Sequence, residues 1–309
     1  MIIFEKTFSG VSFQFLTPVS LTFALLLLFS GCALLSPGEP AYQQAYSSYI
    51  ADDHAAALAL FEKHIHKQSE RGEIVADSIF LFAGMAAWQL GKNPQALDYL
   101  NRIRHSAAAD GPVHLALAKL NREVDNLSRE ITALEQFIQI TPEEEISGDI
   151  RARMFEVYAE SRNYDQALQA WALAEPYAKD DEEMLGLYFQ VLDQTDNQHK
   201  QYETANALLA LNPQNTDALY FLGKHYFWLA ENRYQKEMEA YEGNRTHRQY
   251  SQLLRALDVL NEDFRTSLQY FERLWDIDER SAYAQYLGNI HLRFDNRDKA
   301  RYYHSRAGQ

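Results

Sequence analysis

Residues 80–103 read FLFAGMAAWQLGKNPQALDYLNRI. An apolar run carrying the small residue Gly84 ends in a short polar turn. A second pattern then restarts with Ala96-Leu97 and places Leu100 three residues later. Two antiparallel helices approach to about 8–10 Å only where small side chains let the backbones come close. Gly84 and Ala96 supply that closeness, and the aromatic side chains fill the hollows beside them. One such hairpin cannot bury its own apolar face, so it predicts neighbours stacked against it.

The pattern recurs along the chain. Residues 155–174 read FEVYAESRNYDQALQAWALA, residues 218–226 read ALYFLGKHY, and residues 284–303 read AQYLGNIHLRFDNRDKARYY. Residues 45–65 form a fainter first copy. Aligned on the small residue of the second helix, the copies fall at Ala57, Ala96, Ala133, Ala167, Gln201, Ser267 and Ala300, in steps of 39, 37, 34, 34, 66 and 33. A period of about 34 is that of the tetratricopeptide repeat, and from about residue 41 onward the chain resembles a tetratricopeptide-repeat protein. Gly84, Gly223 and Gly288 stand at that family's small position in the first helix, and Leu211-Asn212-Pro213 matches its inter-repeat ending. The third and fifth copies are degenerate, with Asn121 where a small residue belongs and Gln201 in place of Ala. The expected fold is all-α: a right-handed tetratricopeptide-like α-solenoid of six to seven hairpins. Its repeat-packing residues are Ala57, Gly84, Ala96, Ala167, Gly223, Gly288 and Ala300. Gly and Pro number only 13 and 8 in 309 residues, which suits helices better than a turn-rich strand fold.

The step of 66 exceeds one 34-residue period by 32 residues, which lie between Tyr226 and Phe264. Phe227, Ala230, Tyr234, Met238 and Tyr241 make one helical stripe. Tyr250, Leu253, Leu257, Leu260 and Phe264, spaced 3, 4, 3 and 4, make another, and that alternation is a coiled-coil seam. With Gly243-Asn244 as the turn, the spacing predicts one hairpin, at about 218–276, whose helices are longer by roughly sixteen residues each, or about 24 Å. An additional hairpin within the regular stack is the alternative.

Ahead of the repeats, Leu21–Phe29 is a nine-residue apolar core, LTFALLLLF, preceded by Lys6. That length suits a signal-peptide core and is too short to span a bilayer. Thr17, Pro18, Ser20 and Thr22 make an uncleaved anchor from Leu16 to Leu35 a poor span. Ser30, Gly31 and Cys32 resemble the lipobox of bacterial lipoproteins, with Phe29 where Leu is usual. The resemblance implies diacylglycerol on the Cys32 sulfur, cleavage before Cys32 and a third acyl chain on its amine. Several acyl chains hold a protein stably where a single one does not. Ala33, where Asp marks inner-membrane retention, implies the outer membrane, facing the periplasm. The expected segments are a signal peptide at 1–31, a tether at 32–40, repeats at 41–213, and C-terminal repeats with the long hairpin at 214–309.

The net charge of −14 lacks the clustered basic footprint of a nucleic-acid binder. A single cysteine excludes a disulfide within the chain and a Cys-ligated zinc site. There is no HExxH, no Gly-rich phosphate loop and no G-x-S-x-G elbow. His64 and His66 point apart on a helix and do not share a metal. Acidic runs at Glu143–Glu145 and Asp180–Glu183 precede apolar patterns, where acids complement a helix N-terminus. From Asn289 to Gln309, Arg293, Arg297, Lys299, Arg301 and Arg306 oppose only Asp295 and Asp298. Neither a catalytic residue nor a cofactor or metal is expected. The resemblance implies a binding scaffold or adaptor in envelope assembly or secretion, with a peptide or helix of another protein in a concave groove and the membrane reached through acylated Cys32. A helical envelope hydrolase, or a carrier of lipid or a small ligand, is the competing reading.

Overall fold

A computed structural model describes residues 41–308; the expected signal peptide, the tether and Cys32 lie outside them. Among the described residues the chain forms fourteen α-helices and one short 3-10 turn, with no strand. The helices pair into seven hairpins: α1 (Ala41–Ile50) with α2 (His54–Glu70), α3 (Asp77–Gln89) with α4 (Asn93–Ile103), α5 (Gly111–Glu123) with α6 (Leu127–Ile140), α7 (Gly148–Glu160) with α8 (Tyr164–Ala178), α9 (Glu182–Gln194) with α10 (Gln198–Leu211), α11 (Thr216–Gly243) with α12 (His247–Ile277), and α13 (Ser281–Arg293) with α14 (Arg297–Ala307). The chain divides into two compact units, one ending at Ala108 and one running from Ala109. The first holds two hairpins and the second five. The boundary expected at 213/214 is a loop between two hairpins inside the second unit.

Six of the seven hairpins turn in the same way. Asp52, Gly91, Asp125, Arg162, Asp196 and Asp295 take φ between 52° and 68°. The next residue's N–H then donates to the carbonyl five positions back, at 2.8–3.1 Å, as Asn126 does to Asn121 and Asn296 to His291. This left-handed C-cap satisfies carbonyls that the first helix leaves open. At four of the turns the residue after the bend also caps the second helix: Asp53, Asn126, Asn197 and Asn296 accept from the N–H three residues on.

The turns fix the register. The residue four beyond each cap faces the first helix and is buried: Ala57, Ala96, Ala167, Gln201 and Ala300. In the third hairpin this residue is Glu130, not Ala133, and the small residue twelve before it is Ala118, not Asn121. Ala133 lies about one helical turn beyond the packing position and imitates it because it, too, has an apolar residue, Phe137, four positions on. Glu130 is tolerated at a packing position because Arg153 of α7 meets both its oxygens, at 2.7 and 2.9 Å. Arg153 also binds Glu156 and Glu160 at 2.8 Å, so an ionic cluster joins the third and fourth hairpins.

The glycines mark close approach. A Cβ on Gly84 would lie 2.6 Å from the Leu100 side chain, and one on Gly223 would lie 3.0 Å from the Phe271 ring. Gly288 sits likewise beneath His304. Leu100, Phe271 and His304 each stand four residues after the small position of their second helix.

The long hairpin is a single extended pair, not an extra member of the stack. Helix α11 has 28 residues, where the other first helices of the second unit have 13. Helix α12 has 31. The extension is on the order of 22 Å at 1.5 Å per residue. Both predicted stripes face each other: Phe227, Ala230, Leu253, Leu260 and Phe264 are buried and Tyr234 and Leu257 partly so. The acidic run at Glu143–Glu145 forms the 3-10 turn and does not open α7, whose first-turn acid is Asp149. Asp181, by contrast, caps α9, with Glu182 and Glu183 in its first turn. The basic C-terminal segment is largely compensated within the chain. Arg293 pairs with Glu231, Arg297 with Asp295 and Arg301 with Asp298, and Arg306 lies over the Tyr302 ring.

Candidate functional groove

In the second unit the first helices α9, α11 and α13 leave open clefts between them. A cavity of about 720 Å³ runs between α9 and α11, walled by Phe189, Gln190 and Asp193 on one side and Tyr220, Phe221 and Lys224 on the other. A second, of about 530 Å³, shares Asp193, Gln201, Phe221 and Lys224 with the first and continues to His225, Trp228 and Leu229. A third, of about 480 Å³, lies between α11 and α13 and is bordered by Trp228, Glu231, Leu292 and Arg293. Trp228 therefore separates two clefts, and it is 49% exposed, with Leu229 and Leu292 exposed beside it. A large amphipathic ring left half in water between hollows is the kind of residue that anchors a partner.

The wall behind this groove is built of packed rings. Phe189 meets Phe221 edge-on at 5.5 Å, and Phe227 meets Trp228 edge-on at 5.3 Å. The hydroxyls of Tyr202 and Tyr226 share a hydrogen bond of 2.7 Å, and that bond, with burial, raises the Tyr226 phenol above its ordinary range. Burial raises Tyr220 likewise. Burial lowers His225, opposed in part by the Asp263 carboxylate. The acidic and basic side chains lining the first two clefts are Asp193, Asp196 and Asp217 against Arg162 and Lys224, and the third adds the Glu231–Arg293 pair. The Lys224 ammonium lies 5.3 Å over the Tyr220 ring.

Gln201 is the polar centre of the groove. It is only 4% exposed, lines both of the first two cavities, and donates from its side-chain amide to Asp193 Oδ1 at 3.1 Å. In the sequence it stood out only as a departure from the repeat. Of the expected packing residues, Gly84, Gly223 and Gly288 lie close beneath side chains of their partner helices and Ala57, Ala96, Ala167 and Ala300 are buried; none of the seven borders these clefts. Missed from the sequence were Trp228, Phe221 and Lys224. Their signal was present, since their spacing of 3 and 4 puts them on one face of α11, beside the seam stripe of Phe227, Ala230 and Tyr234. Among the described residues, no three His, Cys, Asp or Glu side chains are grouped to hold a metal, and no helix is long and apolar enough to cross a membrane. His66 pairs with Glu70 on the surface of α2.

No family model and no curated protein matches the chain. Among solved structures it is similar to a protein of Bacteroides ovatus ATCC 8483 described as a candidate protein-binding protein, at 19% identity and a TM-score of 0.48 over 72% of this chain and 98% of that one. It is also similar to YrrB, described as a TPR protein with an unusual peptide-binding site, at 15% identity and a TM-score of 0.42 over 64% and 95%. A third likeness is to the C-terminal part of a TPR repeat-containing protein from Cytophaga hutchinsonii, at 14% identity and a TM-score of 0.41 over 86% and 93%.

Proposed function

We propose that this chain is a lipid-anchored scaffold of the bacterial envelope, held through Cys32 in the outer membrane on its periplasmic side, whose second unit binds a segment of another protein. The observation that carries the binding role is Trp228, half exposed between two clefts that open along consecutive first helices. The clefts mix aromatic faces with Asp193, Gln201 and Lys224, which suits a polypeptide with both backbone and side chains to satisfy better than it suits an acyl chain. Ser30-Gly31-Cys32 after the apolar core supports the anchor.

A photo-crosslinking residue placed at Trp228 in cells should give a defined adduct, and one at Leu173, exposed on α8, should not. Against the partner so identified, Trp228→Ala should lose about 2 kcal/mol of binding, roughly 30-fold. Equal adducts at both positions would end the groove reading. Mass spectrometry of the mature N-terminus should find acyl chains on Cys32, and Cys32→Ser should abolish outer-membrane fractionation. An unacylated Cys32 would remove the anchor while leaving the groove standing.

A further inference from the structure

The arm formed by the outer parts of α11 and α12 makes a second surface. Arg293 of α13 reaches Glu231 at 2.8 Å and lies 4.6 Å over the Tyr234 ring, which ties the root of the arm to the next hairpin. Farther out, Leu253 is buried between the two helices, and beyond it the rings of Tyr241 and Tyr250 meet at 5.8 Å at the rim of the seam. Outside that seam α12 still carries apolar side chains in water. Tyr250 is 46% exposed and Leu254 45%, four residues apart and so on one face, with Val259 exposed on another.

The charges of the arm are sorted by helix. Residues 234–243, on α11, contain Glu237, Glu239 and Glu242 against Lys236 alone. Residues 244–257, at the turn and on α12, contain Arg245, Arg248 and Arg255 and no acid. These helices are neighbours, yet among the described residues none of these seven charges makes an ion pair within the chain. The acids and the arginines are therefore offered to something other than each other.

We infer that the arm pairs with the arm of a second copy of this chain, in a four-helix bundle about a two-fold axis running along the arms. That symmetry sets the acidic α11 of each copy against the basic α12 of the other and brings Tyr250 and Leu254 of both copies into the seam. Every neighbouring pair of helices in such a bundle is antiparallel, so their dipoles also oppose. The surface is self-complementary without any contribution from the groove, and it stands or falls separately from it.

The test is sedimentation equilibrium of the full chain in density-matched detergent. The wild type should have twice the mass of one chain. Arg248→Glu/Arg255→Glu should weaken association at least tenfold, as should Glu239→Lys/Glu242→Lys, each with unchanged far-ultraviolet circular dichroism. Mixing the two variants should restore the double mass, because both acid–base contacts return in the mixed pair. Leu254→Ser should weaken association without touching a charge. A wild type of single mass, or variants that associate undiminished, would overturn the proposal. A mixture that stays at single mass would overturn the acid-on-base pairing, and an arm that sediments alone but binds anionic vesicles would assign the arginines to lipid instead.

Discussion

The fifth and sixth hairpins hold one register with opposite residues. In α11–α12 the first-helix position is Gly223 and the facing positions are Ser267 and Phe271. Phe271 fills the space above the glycine and stacks on Tyr286 at 4.5 Å. The Ser267 hydroxyl, fully buried, donates to the Gly223 carbonyl at 2.8 Å. In α9–α10 the corresponding first-helix residue is Phe189, and the facing positions are Gln201 and Ala205. The bulk has moved from the second helix to the first, and a polar amide has entered the seam. The first arrangement closes its hairpin tightly; the second leaves a ring and an amide, both buried, along the edge where the groove opens. Departure from the repeat and the presence of a cleft are thus the same event viewed in sequence and in space.

The comparison is broken most severely at Phe271. Phe271→Ala removes a fully buried ring shared by α11, α12 and α13 and should destabilise the second unit by about 3–5 kcal/mol. Phe189→Ala should cost clearly less, because Phe189 borders an open cleft that water can fill. Urea unfolding followed by circular dichroism checks both. Equal losses would mean that the cleft beside Phe189 gives no relief and that the groove wall is not a separate element.

Much of this was legible in advance. The ladder of small residues announced paired helices, and the 66-residue step announced the arm, because packing at close approach allows few residue types. The slip in the third hairpin shows the limit. Alanine near an apolar residue four positions on is common on any helix, so Ala133 imitated the ladder. The bend residues were the sharper signal: Asp125-Asn126 matches Asp196-Asn197 and Asp295-Asn296, and counting four from each Asn would have reached Glu130. The groove was hidden for another reason. Phe221, Lys224 and Trp228 share one face of α11, but nothing like them recurs from hairpin to hairpin, since a face that binds a partner is free of the constraint that repeats impose.

Two glycines sharpen the contrast at smaller scale. Alanine suits a helix better than glycine by roughly 1 kcal/mol. At Gly186 in α9 an added Cβ meets nothing within 4 Å, so Gly186→Ala should stabilise by about that amount. At Gly223 the Cβ meets the Phe271 ring at 3.0–3.2 Å, and the ring is held by Tyr286. Overpacking of this kind costs about 1–3 kcal/mol, so Gly223→Ala should be destabilising by about 1 kcal/mol net. Thermal melts of the two variants should move in opposite directions, and a shared direction would remove the distinction between a tight hairpin and a loose one.

The smallest effect on stability is the most informative about function. Gln201→Ala restores the residue that four of the other hairpins carry at this register, namely Ala57, Ala96, Ala167 and Ala300. The substitution removes one hydrogen bond to Asp193, worth about 1 kcal/mol. It also removes the need to hold a long amide in one rotamer within the seam, which offsets part of that loss. Asp193 borders two open cavities, so water replaces the lost donor. The unfolding midpoint should therefore stay within about 0.5 kcal/mol of wild type. Binding of the partner crosslinked at Trp228 should nevertheless fall, because the same change takes a donor from the floor of both clefts and frees Asp193 to rotate. A residue kept only for packing would show the reverse pattern, with stability lost and binding kept. Calorimetry on the purified pair beside a denaturation curve separates the two outcomes.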